Sequence, residues 1–176
     1  FEMGDRVAEP TKFHYAEVLA AWANSNLPNR YIKCREIFDR ASRAYQNGQE
    51  SCQPDVALYG AVFQASSRAG DVDAAEQLLQ QMLADYQCGN YLAKPTTAVF
   101  NAVLLACLRS QSSNVTEKAL GVYHMMMHLH KTENLGALPD ERTLSLLVEI
   151  LSKAHSKEAA EKTNFFVAEL ARFRRH

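Results

Sequence analysis

His124, His128 and His130 stand close together in the run Tyr123-His124-Met125-Met126-Met127-His128-Leu129-His130. On a helix His124 and His128 are one turn apart, a spacing at which two imidazoles can share a metal ion. A metalloprotease helix also carries a glutamate between its histidines as general base, and no acidic residue stands there. An ordinary packed or solvated helix is therefore the favoured reading, with metal binding as the alternative. Cys34, Cys52, Cys88 and Cys107 form no paired motif. Cys34 and Cys107 fall on apolar helix positions and read as buried thiols. Cys52 and Cys88 fall in loops, at what look like equivalent places before two prolines, where chance placement is favoured over a redox or zinc role. Trp22, one turn after Leu19, reads as filler between helices, with base stacking as the alternative. Glu36, Asp39 and Arg40 read as intrahelical ion pairs, worth ~0.2–0.5 kcal/mol each. There is no glycine-rich phosphate loop, no serine in a nucleophile turn and no distinctive carboxylate pair. The chain is not expected to be an enzyme, and neither a cofactor nor a resident metal is expected.

Composition narrows the class. The 176 residues include 19 Lys+Arg and 20 Asp+Glu, a net charge of −1, with 47% hydrophobic and 22% charged residues. That balance argues against nucleic-acid binding by bulk positive charge alone. No stretch approaches the ~20 apolar residues of a membrane span. Four Cys are too few for a disulfide scaffold, and 7 Gly with 5 Pro too few for a turn-rich β fold. Arg172, Arg174, Arg175 and His176 form a basic tip, read first as cations at a helix C-terminus and second as an RNA or partner contact. Phe1-Glu2-Met3-Gly4 has neither signal-peptide nor transit-peptide character, so compartment is not legible there.

The elements that would position these residues recur. Pro10-Thr11-Lys12-Phe13-His14-Tyr15, Pro54-Asp55-Val56-Ala57-Leu58-Tyr59, Pro95-Thr96-Thr97-Ala98-Val99-Phe100 and Pro139-Asp140-Glu141-Arg142-Thr143-Leu144 align, with prolines 44, 41 and 44 residues apart. Proline followed by Thr or Asp is a helix-start signal, because the side-chain oxygen caps free amides. Val18-Leu19, Val62-Phe63, Val103-Leu104 and Leu147-Val148 follow, then Ala21, Ala65, Ala106 and Ile150. This spacing makes one apolar helical face, with small residues that admit a close neighbour. A second helix comes next in each unit. Its stripe is Cys34, Ile37, Phe38 and Ala41 in the first, Ala75, Leu78, Leu79 and Met82 in the second, and Ala119, Val122, Tyr123 and Met126 in the third. Asp71 or Asp73 would cap the second of these helices. The fourth unit lacks a clean match but offers Phe165, Phe166 and Leu170. The expected fold is all-α, an α-solenoid of stacked antiparallel helix–turn–helix repeats, because a lone pair cannot bury both its faces. The expected units are 10–53, 54–94, 95–138 and 139–176, with 1–9 as the tail of a preceding repeat.

Pro54 to Tyr59, Ala69-Gly70-Asp71-Val72-Asp73-Ala74-Ala75 and Leu78-Leu79-Gln80-Gln81-Met82 together resemble a pentatricopeptide repeat. Pro95 to Met126 is a good second match and Pro10 to Tyr45 a weaker one; from Pro139 the match covers the first helix only. The Trp/Leu-Gly/Tyr pattern of the tetratricopeptide family is absent. The units exceed the usual 35 residues mainly after the second helix, in Ala44–Gln53, Asp85–Ala93 and Leu129–Leu138. The resemblance implies a right-handed superhelix that binds single-stranded RNA in a mitochondrion or plastid, one base per repeat. It implies base-reading pairs Ala16 with Asp55, Gly60 with Thr96 and Asn101 with Asp140, and Ser145 as the start of a fourth. Asn101/Asp140 alone is a standard pair, and it would favour uracil; Ala16 and Gly60 offer no side-chain donor or acceptor. Bases would be sandwiched between Phe13, Ala57, Ala98 and Arg142, of which Phe13 and Arg142 have the surface to stack.

Charge weighs on that expectation. The four first helices carry five basic residues (Lys12, Arg68, Arg109, Arg142, Lys153) and five acidic ones (Glu17, Asp55, Asp140, Glu141, Glu149). Helix 29–47 carries five basic and two acidic residues, whereas helix 71–86 carries four acidic and none basic. RNA binding is the first expectation for function. The alternative is a protein scaffold in an organellar assembly such as a mitochondrial ribosome.

Overall fold

The computed structural model describes residues 9–133, 136–154 and 156–175. Among them are eight α-helices, two 3₁₀ turns and no strand. In chain order these are α1 (Lys12–Asn24), α2 (Arg30–Gln46), α3 (Val56–Ala69), α4 (Val72–Gln87), α5 (Thr97–Arg109), α6 (Val115–Glu133), α7 (Glu141–Ser152) and α8 (Lys157–Phe173). Of the expected tail at 1–9 only Glu9 lies among the described residues, and His176 of the basic tip lies outside them.

Each odd-numbered helix starts where the proline signal places it. Thr11, Asp55, Thr96 and Asp140, each directly after its proline, are the N-cap residues and have extended backbones. The Asp55 carboxylate accepts from the Ala57 and Leu58 amides at 3.0 and 3.1 Å. The even-numbered helices start on other polar caps: Asp71 accepts from the Ala74 amide at 3.0 Å and Ser156 from the Ala159 amide at 3.1 Å. Asp71, and not Asp73, is thus the cap of α4.

The residues in excess of a 35-residue unit go partly into long even helices and partly into 3₁₀ turns at Glu50–Cys52 and Tyr91–Ala93. These two turns share one design. Gly48 and Gly89 take φ of +94° and +99°, and the next side chain reaches back to the proline that opened its own pair. Gln49 Nε2 donates to the Pro10 carbonyl at 2.7 Å, and Asn90 Nδ2 to the Pro54 carbonyl at 2.8 Å. In this register Cys52 corresponds to Ala93 and Cys88 to Asn47, so the two cysteines are not equivalent. Cys52 is buried in its turn, whereas Cys88 is the exposed C-cap of α4.

Packing follows the chain order. Each odd helix packs against its even partner, α1 packs on α3, α3 on α5 and α5 on α7, and each even helix through α6 also touches the next odd one. Val62-Phe63, Val103-Leu104 and Leu147 are buried between them, as are Ala65, Ala106 and Ile150. Fully burying an aliphatic or aromatic side chain of this size contributes ~1.5–3 kcal/mol. Two residues of the expected stripe depart from it: Val18 is 47% exposed and Ala21 is exposed. No helix among the described residues precedes α1. In the even helices Cys34, Phe38, Ala41, Ala75, Leu78, Leu79, Met82, Ala119, Val122 and Met126 are buried. In α8 the buried residues are Ala159 and Phe166, with Leu170 packed against the core, while Phe165 is exposed. Phe166 meets Tyr123 edge-on at 5.0 Å, which ties α8 to α6. Trp22 is half-buried against the core.

Candidate nucleic-acid interface

The first turns of α1, α3, α5 and α7 present Phe13, Ala57, Ala98 and Arg142 at equivalent places, and all four are exposed, Phe13 at 70%. The Lys12 ammonium lies 5.7 Å from the Phe13 ring centroid. One turn further on, Ala16, Gly60 and Ser145 are half-buried and Asn101 is 7% exposed. Gly60 has open space where a Cβ would stand.

The pair Asn101 and Asp140 comes together from different helices. Asn101 Nδ2 in α5 donates to Asp140 Oδ1, the cap of α7, at 3.1 Å. Thr143, buried one turn into α7, completes the cluster. Its amide donates to Asp140 Oδ1 at 2.7 Å, and the Asp140 amide donates to Thr143 Oγ1 at 3.1 Å. The single hydroxyl proton of Thr143 lies between Asn101 Oδ1 at 2.7 Å and Asp140 Oδ1 at 2.8 Å. A carboxylate only accepts, so the Asn101 amide is held with its nitrogen toward Asp140 and its oxygen toward Thr143. Burial raises the Asp140 pKa, but hydrogen bonds from the Thr143 amide, Asn101 and the Thr143 hydroxyl outweigh it and hold the carboxyl below its usual range. These contacts converge on Oδ1 of Asp140.

The other assigned positions differ in their commitments. Asp55 spends Oδ1 on the first amides of α3 and Oδ2 on Lys12, at 3.0 Å, which bridges α1 to α3. Thr96 is an exposed N-cap without a side-chain cap bond. The Ser145 hydroxyl donates to the Glu141 carbonyl of its own helix at 2.8 Å.

Most cations of the odd helices are occupied within the fold. Arg68 donates to the Ala23 carbonyl at 3.1 Å, Arg109 to the Ser67 carbonyl at 3.3 Å, and Lys153 to the Leu108 carbonyl at 3.5 Å. Each cation stands fourteen residues after its proline and reaches a carbonyl thirteen residues after the preceding proline, in the last turn of a helix, where intrahelical donors run out. In the sequence alone these residues read only as charge. Their recurrence at one repeat position was the available signal, and Asp140 with Thr143 three residues on was the signal for the buried member of the cluster. The four acids of α4 are engaged in the same way. Asp71 caps the helix, Asp73 and Glu76 bind Lys118 of α6, and Asp85 accepts from the Tyr59 hydroxyl at 2.6 Å. Hydrogen bonds that the Lys118 ammonium donates to Asp73 and Glu76 raise its pKa above the usual lysine range. Three of the four acids thus join α4 to another helix, Asp73 and Glu76 to α6 and Asp85 to α3.

Cys34 and Cys107 are buried thiols, pushed up to about 11 and about 12 by burial, and neutral at ordinary pH. His124 and His128 are exposed, and no three His, Cys, Asp or Glu residues converge to hold a metal ion among the described residues. No helix among the described residues is long and apolar enough to cross a membrane. No protein-family model, curated protein or solved structure matches this chain.

Proposed function

We propose that the chain is a segment of a pentatricopeptide-type α-solenoid that binds single-stranded RNA in a mitochondrion or plastid, serving RNA processing, stability or translation. The observation that carries the reading is the Asn101–Asp140 contact, 3.1 Å across successive helix pairs. Reading a base edge with two side chains needs both in one place and in one orientation, and single-stranded RNA exposes such edges. Thr143 fixes the amide before any ligand arrives, which lowers the entropy cost of recognition. Phe13 and Arg142 add exposed surface for stacking. Fluorescence anisotropy of the full chain with labelled oligo-U and oligo-A at low salt tests this. Tighter binding to oligo-U is expected, with the preference reduced about tenfold or more in Asn101→Ala, in keeping with ~1–3 kcal/mol for a bidentate base contact. Equal, flat titrations for both oligomers would refute it.

The second reading, a protein scaffold in an organellar assembly, is favoured by the occupied cations. Arg68, Arg109 and Lys153 are turned to helix-end carbonyls and Lys12 to Asp55, so few are left for phosphate. Flat RNA titrations together with a stoichiometric protein partner from organelle extract would favour it.

A further inference from the structure

Polar side chains tie successive even-numbered helices together at two of their three junctions. Arg35 of α2 donates to Gln81 of α4 at 2.8 Å, and Lys118 of α6 binds Asp73 and Glu76 of α4. Among the described residues no hydrogen bond or ion pair joins α6 to α8, whose side chains meet through the Tyr123 and Phe166 rings. The residues that open this junction can be matched to those of the junction before it. Lys118, Gly121, Val122 and Met125 of α6 line the groove against α4. At the same spacing in α8, Glu158, Glu161, Lys162 and Phe165 line the groove against α6. On the facing helix, Glu76 of α4 gives way to Leu120 of α6. A bridging cation is thus replaced by a carboxylate and its acceptor by an apolar side chain. Glu158 is spent instead on Lys162 of its own helix, at 2.6 Å.

The consequence is room. The groove between α4 and α6 has a volume of about 220 Å³. Between α6 and α8 there are about 680 Å³ beside Glu117 and Glu158 and about 370 Å³ around Phe165, and the two spaces share Leu120, His124 and Lys162. Phe165 holds the place of Met125, on the side of α8 toward α6, and is 54% exposed there, so its exposure belongs to this internal junction. Leu120 and Phe166 form a buried floor. The rim is acidic: Glu117 on α6 and Glu161 on α8 are exposed, and among the described residues neither pairs with a cation. We propose that this groove docks a basic amphipathic segment of a partner protein. One bulky apolar side chain of that segment seats between Leu120 and Phe165, and Lys or Arg to either side of it meet Glu117 and Glu161. The apolar anchor supplies affinity, and the complementary charge selects a basic protein segment over an acidic one and over the phosphates of RNA.

The test is fluorescence anisotropy of the full chain with a short labelled peptide that has leucines and one phenylalanine on one helical face and lysines on the other. The same peptide with glutamates in place of lysines is the control, expected to bind at least ~10-fold more weakly. Phe165→Gln, and Glu117→Lys combined with Glu161→Lys, should each weaken the lysine peptide at least ~10-fold. Glu17→Lys, at an exposed acid of α1, should change it less than ~2-fold. All four positions are exposed, so the melting temperatures of these variants should stay within ~2 °C of the parent. No binding of the lysine peptide, equal binding of the glutamate peptide, or an affinity that Phe165→Gln leaves unmoved would each overturn the proposal. So would a loss as large with Glu17→Lys as with the paired rim variants. A dimer of the chain in sedimentation that Phe165→Gln dissociates would also overturn it, by making a second copy the occupant. No arm uses RNA, so failure here and failure of the uridine titration are separate results.

Discussion

At Asp140 one carboxylate caps α7, holds Asn101 of α5 and sets the Thr143 hydroxyl. Removing it costs more than a cap, because Asn101 and Thr143 are buried and would be left with unmet polar groups. Asp140→Ala should destabilise the chain by about 2 kcal/mol in urea unfolding at neutral pH. The pH dependence has a definite sign. The folded-state pKa lies below the ordinary carboxyl value of ~3.9, so the contribution is complete above that value and disappears as pH falls through the folded pKa. The gap between the parent and Asp140→Ala should therefore shrink as pH falls from about 4 to about 2. A gap that persists unchanged at low pH would show that the carboxylate charge is irrelevant to the cluster.

At the scale of elements, helix starts and stops do most of the positioning. α3 ends at Gly70, whose φ of +68° forms a left-handed cap. A Cβ there would also stand 2.9 Å from the Arg109 carbonyl oxygen, in the backbone at the end of α5. Gly89 has φ of +99° but open space around it. Gly89→Ala should accordingly cost about 1 kcal/mol for backbone strain alone. Gly70→Ala adds a clash with backbone, for a total on the order of 2–3 kcal/mol. Denaturant midpoints of the two variants measure the difference. Equal costs would mean that the approach of Gly70 to α5 is not a constraint.

For the whole molecule, stability is expected to follow the number of covered faces. α3 and α5 have neighbours on every side that packing requires, whereas α1 has an open stripe and α8 leaves Phe165, Val167 and Phe173 exposed. Each helix packs mainly on its neighbours in the chain, so the helices with fewest neighbours, α1 and α8, should open first. Native-state hydrogen exchange should show amides in α1 and α8 exchanging at least ~10-fold faster than those in α3 and α5. Uniform protection along the chain would indicate a single cooperative unit.

The starts of α1, α3, α5 and α7 and the apolar stripes of α3 to α6 were legible from residue order. Pro-Thr and Pro-Asp caps and i, i+3, i+4 patterns are local, and local rules act within a turn or two. Asn101 and Asp140 were linked only through the family resemblance, and the structure brings the two side chains together although they are 39 positions apart. Residue order did not reveal that Thr143 lies between them, that Arg68, Arg109 and Lys153 are drawn to carbonyls of the preceding odd-numbered helix, or that Cys52 and Cys88 occupy different places. Nor did it distinguish Val18 from Val62 and Val103, which have the same type and the same repeat position. One is exposed and two are buried because burial depends on which neighbour arrives across the chain, and only the tertiary structure decides that.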